Sequence, residues 1–123
     1  MNPWILVIDD DSGTREALVA ILQRAGYQVA TVENFAGELD LPQAARHYRV
    51  AVVDYHLPAL NGLEVARRLK DLQPDCRIIL ISSEPPHLEQ VAGEQAVVDR
   101  FLAKPFSKDA ILEVIAQLCL PEA

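Results

Sequence analysis

Residues 4–8, Trp-Ile-Leu-Val-Ile, form an unbroken apolar run rich in β-branched side chains. Such a run predicts a strand buried on both faces. From Ser12 the period lengthens. Ala17, Leu18, Ile21, Leu22 and Ala25 recur at helical spacing, and Gly26 follows as a stop. Residues 27–32 predict a second strand, and residues 35–47 a helix with Pro42 interrupting it near its start. Residues 50–53 read as a third strand ending at Asp54, followed by a loop marked by Pro58 and Asn61-Gly62. Leu63, Val65, Ala66, Leu69 and Leu72 give a helix stopped before Pro74. Residues 77–81 make a fourth strand ending at Ser82. Pro85 and Pro86 break the chain ahead of a short helix over residues 87–92. A fifth strand lies within residues 98–103 and ends at Lys104-Pro105. Ser107 then caps a last helix reaching about Leu118, with Ile111, Leu112, Ile115 and Leu118 facing inward.

Five apolar strands alternating with five helices imply an α/β domain: a five-stranded parallel sheet with helices on both faces. Right-handed crossovers leave few topologies. In open sheets of this kind the functional site lies beyond the carboxyl ends of the strands. The strand ends therefore matter most. The first carries Asp9, Asp10 and Asp11, the third Asp54, the fourth Ser82 and the fifth Lys104.

Size and charge narrow the field. The chain of 123 residues fits one domain, residues 1–123, and its apolar half can bury a core. With 11 Lys and Arg against 18 Asp and Glu, the formal net charge is −7. That balance argues against a nucleic-acid surface and is compatible with a bound cation. Cys76 and Cys119 match no zinc or redox spacing and read as reduced packing residues. No signal peptide and no run near the ~20 apolar residues of a membrane span is visible, so a cytoplasmic protein is expected.

Three adjacent acids at a buried strand end repel one another and resist desolvation. A hard divalent cation removes that penalty, and Mg²⁺ favours one or two carboxylates together with water and phosphate. A lysine supplies a compact positive charge for a phosphoryl oxygen, and a serine a short hydroxyl donor. An aspartate can itself accept a phosphoryl group. Taken singly, each residue has a plainer reading. Asp11 or Ser12 caps the first helix, with Asp11 favoured. Asp9 and Asp10 are solvated loop acids, Asp54 is a turn residue, and Lys104 is a surface lysine. It is the four matching residue types at four of five strand ends that point to phosphoryl chemistry.

Those residues carry a family resemblance over essentially the whole chain. ILVIDDDSGTRE is similar to the first strand and acidic pair of the receiver domain of two-component response regulators. VAVVDYHLPALNGLEV resembles its phosphoacceptor segment, RIILISSE its hydroxyl-bearing fourth strand, and FLAKPF its Lys-Pro-Phe signature. The resemblance implies a flavodoxin-like (βα)5 fold with Asp54 as phosphoacceptor. It implies Mg²⁺ held by Asp10 directly, by Asp9 through water, and by Asp54 and the backbone carbonyl of His56. Ser82 and Lys104 would bind phosphoryl oxygens, Phe101 takes the place of the aromatic switch residue, and Pro105 would follow a cis peptide bond. His56 and Glu84 would tune the lifetime of the phosphoryl group. Ser82 replaces a more usual Thr, Ser83 stands where Ala or Gly is frequent, and Phe101 lacks the hydroxyl of the commoner Tyr.

The function so implied is a signalling switch. It takes phosphate from a sensor histidine kinase or histidine phosphotransfer protein and presents a changed face to a downstream protein or linked output domain. It is not an enzyme turning over free metabolites, and it neither binds nucleic acid directly nor enters a membrane. The alternative is a phosphatase similar to the haloacid dehalogenase superfamily with Asp9 as nucleophile. That reading lacks a cap segment and a later acidic pair, and it leaves Asp54 without a role. A flavodoxin-like cofactor binder ranks lower, because the first loop lacks a hydroxyl- and glycine-rich phosphate cradle. Whether the domain stands alone or belongs to a longer regulator is open.

Overall fold

The computed structural model describes residues 3–32, 47–57, 61–83 and 97–119. Eight elements follow in order: β1 Trp4–Ile8, α1 Ser12–Arg24, β2 Gln28–Val32, β3 Val50–Asp54, α2 Gly62–Leu72, β4 Arg77–Ser82, β5 Arg100–Ala103 and α3 Lys108–Cys119. The helices expected over residues 35–47 and 87–92 fall almost wholly outside the described residues, as do Pro58 and Glu84.

The five strands form one parallel sheet in the order β2-β1-β3-β4-β5. Its pleat divides the core. Ile5, Val7, Val50, Val52, Ile79 and Ile81 face one side with Leu18 and Leu22 of α1 and Ile111 and Ile115 of α3. Leu6, Ile8, Ala51, Val53, Ile78 and Leu80 face the other with Val65, Ala66 and Leu69 of α2 and the buried Tyr48. Both faces of the central strands are therefore apolar, and that is why the sequence shows unbroken runs there rather than alternation. The edge strands are less covered. Every residue of β2 is half-buried, and Arg100 and Ala103 of β5 are exposed.

Local chemistry sets the helix ends. Asp11 caps α1, its Oδ2 accepting from Thr14 N at 2.9 Å and Thr14 Oγ1 at 2.6 Å. These hydrogen bonds, the hydroxyl's first, hold its carboxyl below the usual aspartate range. Asn61 caps α2 through Glu64 N, so this helix starts at Gly62, one residue before the apolar spacing suggests. Ser107 Oγ accepts from Ala110 N at the start of α3, in the capping role expected of it. At the far end of α1, Gly26 adopts a left-handed φ of 98° that turns the chain into β2. The two cysteines are free thiols. Burial pushes that of Cys76 up to about 12, which suits an unreactive packing residue.

Candidate functional site

The strand register aligns the polar ends. Ile8 lies beside Val53, Asp54 beside Ile81, and Ser82 beside Ala103. Asp9 and Asp54 thus stand at neighbouring strand ends, with Lys104 at the end of β5 beyond β4, and all three continue the pleat of Val7, Val52 and Leu102, the face covered by α1 and α3. Ser82 continues the pleat of Leu80 instead, and Leu80 pairs with Phe101. Ser82 and Phe101 therefore share the α2 face. The sequence placed these groups on one edge; the pleat separates them into two coupled layers.

Asp9 is fully buried. Its Oδ1 accepts from Asp11 N at 2.9 Å, and its Oδ2 accepts from Lys104 Nζ at 3.2 Å. Asp54 is 6 % exposed, accepts from His56 N at 3.3 Å through Oδ1, and meets the same Lys104 ammonium at 3.5 Å through Oδ2. One lysine thus bridges two carboxylates. It does not compensate both. Burial and then the charge of Asp9 push the Asp54 carboxyl up to about 6, against the opposing pull of Lys104 and the His56 N–H. Asp10 is exposed beside this pair, and Ser82 is buried at the end of β4. The exposed His56 packs edge-on against Tyr55, ring centres 5.3 Å apart. A hollow of about 490 Å³, whose lining includes Asp11, Thr14, Ala17, Pro105 and Phe106, opens beside Lys104. The Lys104–Pro105 peptide is cis, as the resemblance implies.

Among the described residues no three acidic, histidine or cysteine side chains gather as a complete metal cage. Mg²⁺ does not require one, since it binds through one or two carboxylates and keeps several waters. A buried carboxylate pair short of positive charge, with a third acid exposed next to it, fits that ion.

Two residues at this site were not singled out from the sequence. Arg15 Nη1 donates to the backbone carbonyl of Asp9 at 2.9 Å, anchoring the acidic turn to α1. The available signal was its position, because a cation in the first turn of a helix opposes the helix dipole and needs another reason to be there. Gly62 was read only as part of a turn. Its N–H donates to Tyr55 O at 2.7 Å, and a Cβ there would collide with Asp54 O and lie 2.7 Å from Tyr55 Cα. The start of α2 rests directly on the backbone of the proposed acceptor.

Fold and site together define a phosphoryl-accepting domain on a doubly wound parallel sheet. Residues 5–116 match the family model of the response regulator receiver domain. Over 108 residues the chain is 38 % identical to response regulator MprA of Mycolicibacterium vanbaalenii, covering 88 % of this chain and 46 % of that protein. It spans about half the length of the curated relatives it matches. Response regulator TrrA from Thermotoga maritima, in complex with Mg²⁺-BeF, superposes with a TM-score of 0.80 at 32 % identity, covering 94 % of this chain and 98 % of that one. The BeF3-activated DrrB receiver domain does so with a TM-score of 0.80 at 27 % identity, covering 96 % and 97 %. The chain belongs to the response regulator receiver domain family, the phosphoacceptor switches of two-component signalling. The phosphatase alternative gains no support from these relatives.

Proposed function

We propose that Asp54 is the phosphoacceptor. The observation that carries this reading is its place at the end of the central strand, beside Asp9 and under the Lys104 ammonium that reaches both acids. A carboxylate oxygen of Asp54 attacks phosphorus, the P–N bond of a partner's phosphohistidine breaks, and an acyl phosphate forms. Lys104 then moves its charge from the carboxylates to a phosphoryl oxygen, and the Ser82 hydroxyl donates to another. Asp9, Asp10, Asp54 and the His56 carbonyl would hold Mg²⁺, which when bound neutralises charge on the transferred group. The donor is a sensor histidine kinase or histidine phosphotransfer protein. The domain turns over no free metabolite. It acts in the cytoplasm on a downstream protein or a linked output domain, without contacting nucleic acid or membrane itself. No helix among the described residues is long and apolar enough to cross a membrane.

Incubation with a small phosphodonor and Mg²⁺, followed by peptide mass spectrometry, should find one acyl phosphate, on Asp54. Label on Asp9 instead would overturn the assignment. Asp10→Asn should weaken Mg²⁺ binding by about tenfold or more, a scale that even residues behind the direct ligands reach. An unchanged Mg²⁺ titration would remove Asp10 from the metal site.

The shared face of Ser82 and Phe101 supports the switch reading. Drawing the Ser82 hydroxyl toward a phosphoryl group vacates space on the face where the half-buried Phe101 ring packs. A beryllofluoride mimic of phosphorylation should therefore shift the NMR signals of the Phe101 ring. If they stay constant while partner binding still switches, the signal leaves by another path. The exposed His56 next to Asp54, together with Glu84, is proposed to set the rate at which water removes the phosphoryl group.

A further inference from the structure

At the opposite pole of the sheet, away from Asp54, a cavity of about 460 Å³ opens at the amino ends of β3 and β4. Its lining includes Arg49, Lys70 and Arg77, together with His47 and the acid Asp75. Three of the chain's 11 Lys and Arg residues thus meet in one hollow of a protein whose net charge is −7. Like charges do not gather on an acidic protein without cost, and here the backbone holds them together. Arg77 N donates to Arg49 O at 3.0 Å, so the two arginines enter adjacent strands side by side.

Their side chains are anchored in place. Arg49 Nη2 donates to Cys119 O at 2.9 Å, at the end of α3. Arg77 Nη1 and Lys70 Nζ both reach Asp99, at 3.4 and 3.3 Å. Asp99 is fixed in turn by Ile78 N, which donates to its Oδ2 at 2.8 Å. One carboxylate thus stands between two cations at distances longer than a strong charge-assisted bond. A guanidinium has five N–H donors, and the Cys119 carbonyl engages only part of the Arg49 fork.

We propose that this cavity is a binding site for a compact polyanion of the phosphate class, held by Arg49, Arg77 and Lys70. A phosphate oxygen set between two guanidiniums matches their planar donor geometry. Three cations among the lining residues favour an anion over an apolar ligand, and the volume admits a di- or triphosphate group with room to spare. Such a ligand would tie the ends of α2 and α3 to the sheet from the pole opposite the phosphoacceptor.

The test uses inorganic pyrophosphate as probe, in metal-free buffer, with the parent chain and three variants. NMR titration of the parent should move the amides of residues 47–49, 70, 75–77 and 118, with saturation. Arg49→Gln should weaken binding about tenfold, the loss expected of a charge-assisted hydrogen bond. Because Arg49 also anchors α3, its loss alone is open to a structural explanation. Asp75→Asn removes the opposing charge from the lining, so it should tighten binding severalfold. A damaged fold would not do that. Asp54→Asn, remote from the cavity, should bind like the parent. The proposal is overturned if shifts centre on Lys104 and Asp54, if no saturable shift occurs at the cavity, or if Asp75→Asn leaves the affinity unchanged.

Discussion

Asp54→Asn should abolish acyl phosphate formation and, in metal-free buffer at neutral pH, yield a more stable protein than the parent. The loss of uptake follows from chemistry, because a neutral amide is no nucleophile toward phosphorus under these conditions. The gain in stability follows from linkage. The Asp54 carboxyl titrates near 6 in the folded chain, raised first by burial and then by the charge of Asp9, whereas an unfolded aspartate titrates near 3.9. Below about pH 4 both states hold the proton, and the carboxyl costs the fold nothing. Between about pH 4 and 6 the unfolded chain releases its proton first, so parent stability falls as pH rises. Above about 6 the penalty is constant. After allowance for solvent screening it amounts to about 1–2 kcal/mol. The advantage of Asp54→Asn should therefore be absent at pH 4 and full by pH 7, as read by urea denaturation at several pH values. Mg²⁺ should raise the stability of the parent at pH 7 and raise that of the variant much less. A pH-independent difference between the two would mean that Asp54 is not held at a charge-poor site.

Gly62→Ala should lower stability by about 2–3 kcal/mol and slow phosphoryl uptake. The added methyl group meets backbone, not a side chain that can turn away. Asp54 O and Tyr55 Cα lie in its path, and Gly62 N must stay close enough to donate to Tyr55 O. Either α2 backs away from the sheet, losing part of the contact of Val65, Ala66 and Leu69, or β3 shifts and takes Asp54 with it. Gly13→Ala is the matched control. A Cβ at Gly13 meets only Asp11 Oδ2, at 3.6 Å, and alanine favours a helix over glycine. It should leave stability unchanged or slightly higher. Thermal unfolding of both variants, with the rate of labelling by a small phosphodonor, checks the pair. Equal behaviour would show that the approach of α2 to the acceptor strand is not tight.

Much of this domain was legible in the order of its residues. Strands buried on both faces must be apolar along their covered length, so residues 4–8, 50–53 and the run 78–81 that follows Arg77 declared themselves and brought Asp9, Asp54 and Ser82 to their ends. Capping residues are equally local. Asp11 and Ser107 act within three positions of themselves, so short-range chemistry was enough to find them. The edge strand β5 was harder to bound. Its exposed ends carry a mixed pattern, and it begins at Arg100, inside the expected stretch.

What the sequence by itself determined is the cast of the site: carboxylates, a hydroxyl and an ammonium at successive strand ends, because each belongs to a local pattern of apolar run and stop. Tertiary structure decided how they meet. Only the register shows one lysine spanning Asp9 and Asp54, and only the pleat assigns Ser82 to the face of Phe101 and away from that trio. Only close packing shows why residue 62 must lack a side chain, and only the joining of β3 to β4 brings Arg49 and Arg77 together across 28 positions of sequence. These are distances between segments far apart in the chain. They depend on how strands align and how closely helices approach, and no pattern of neighbouring residues encodes them.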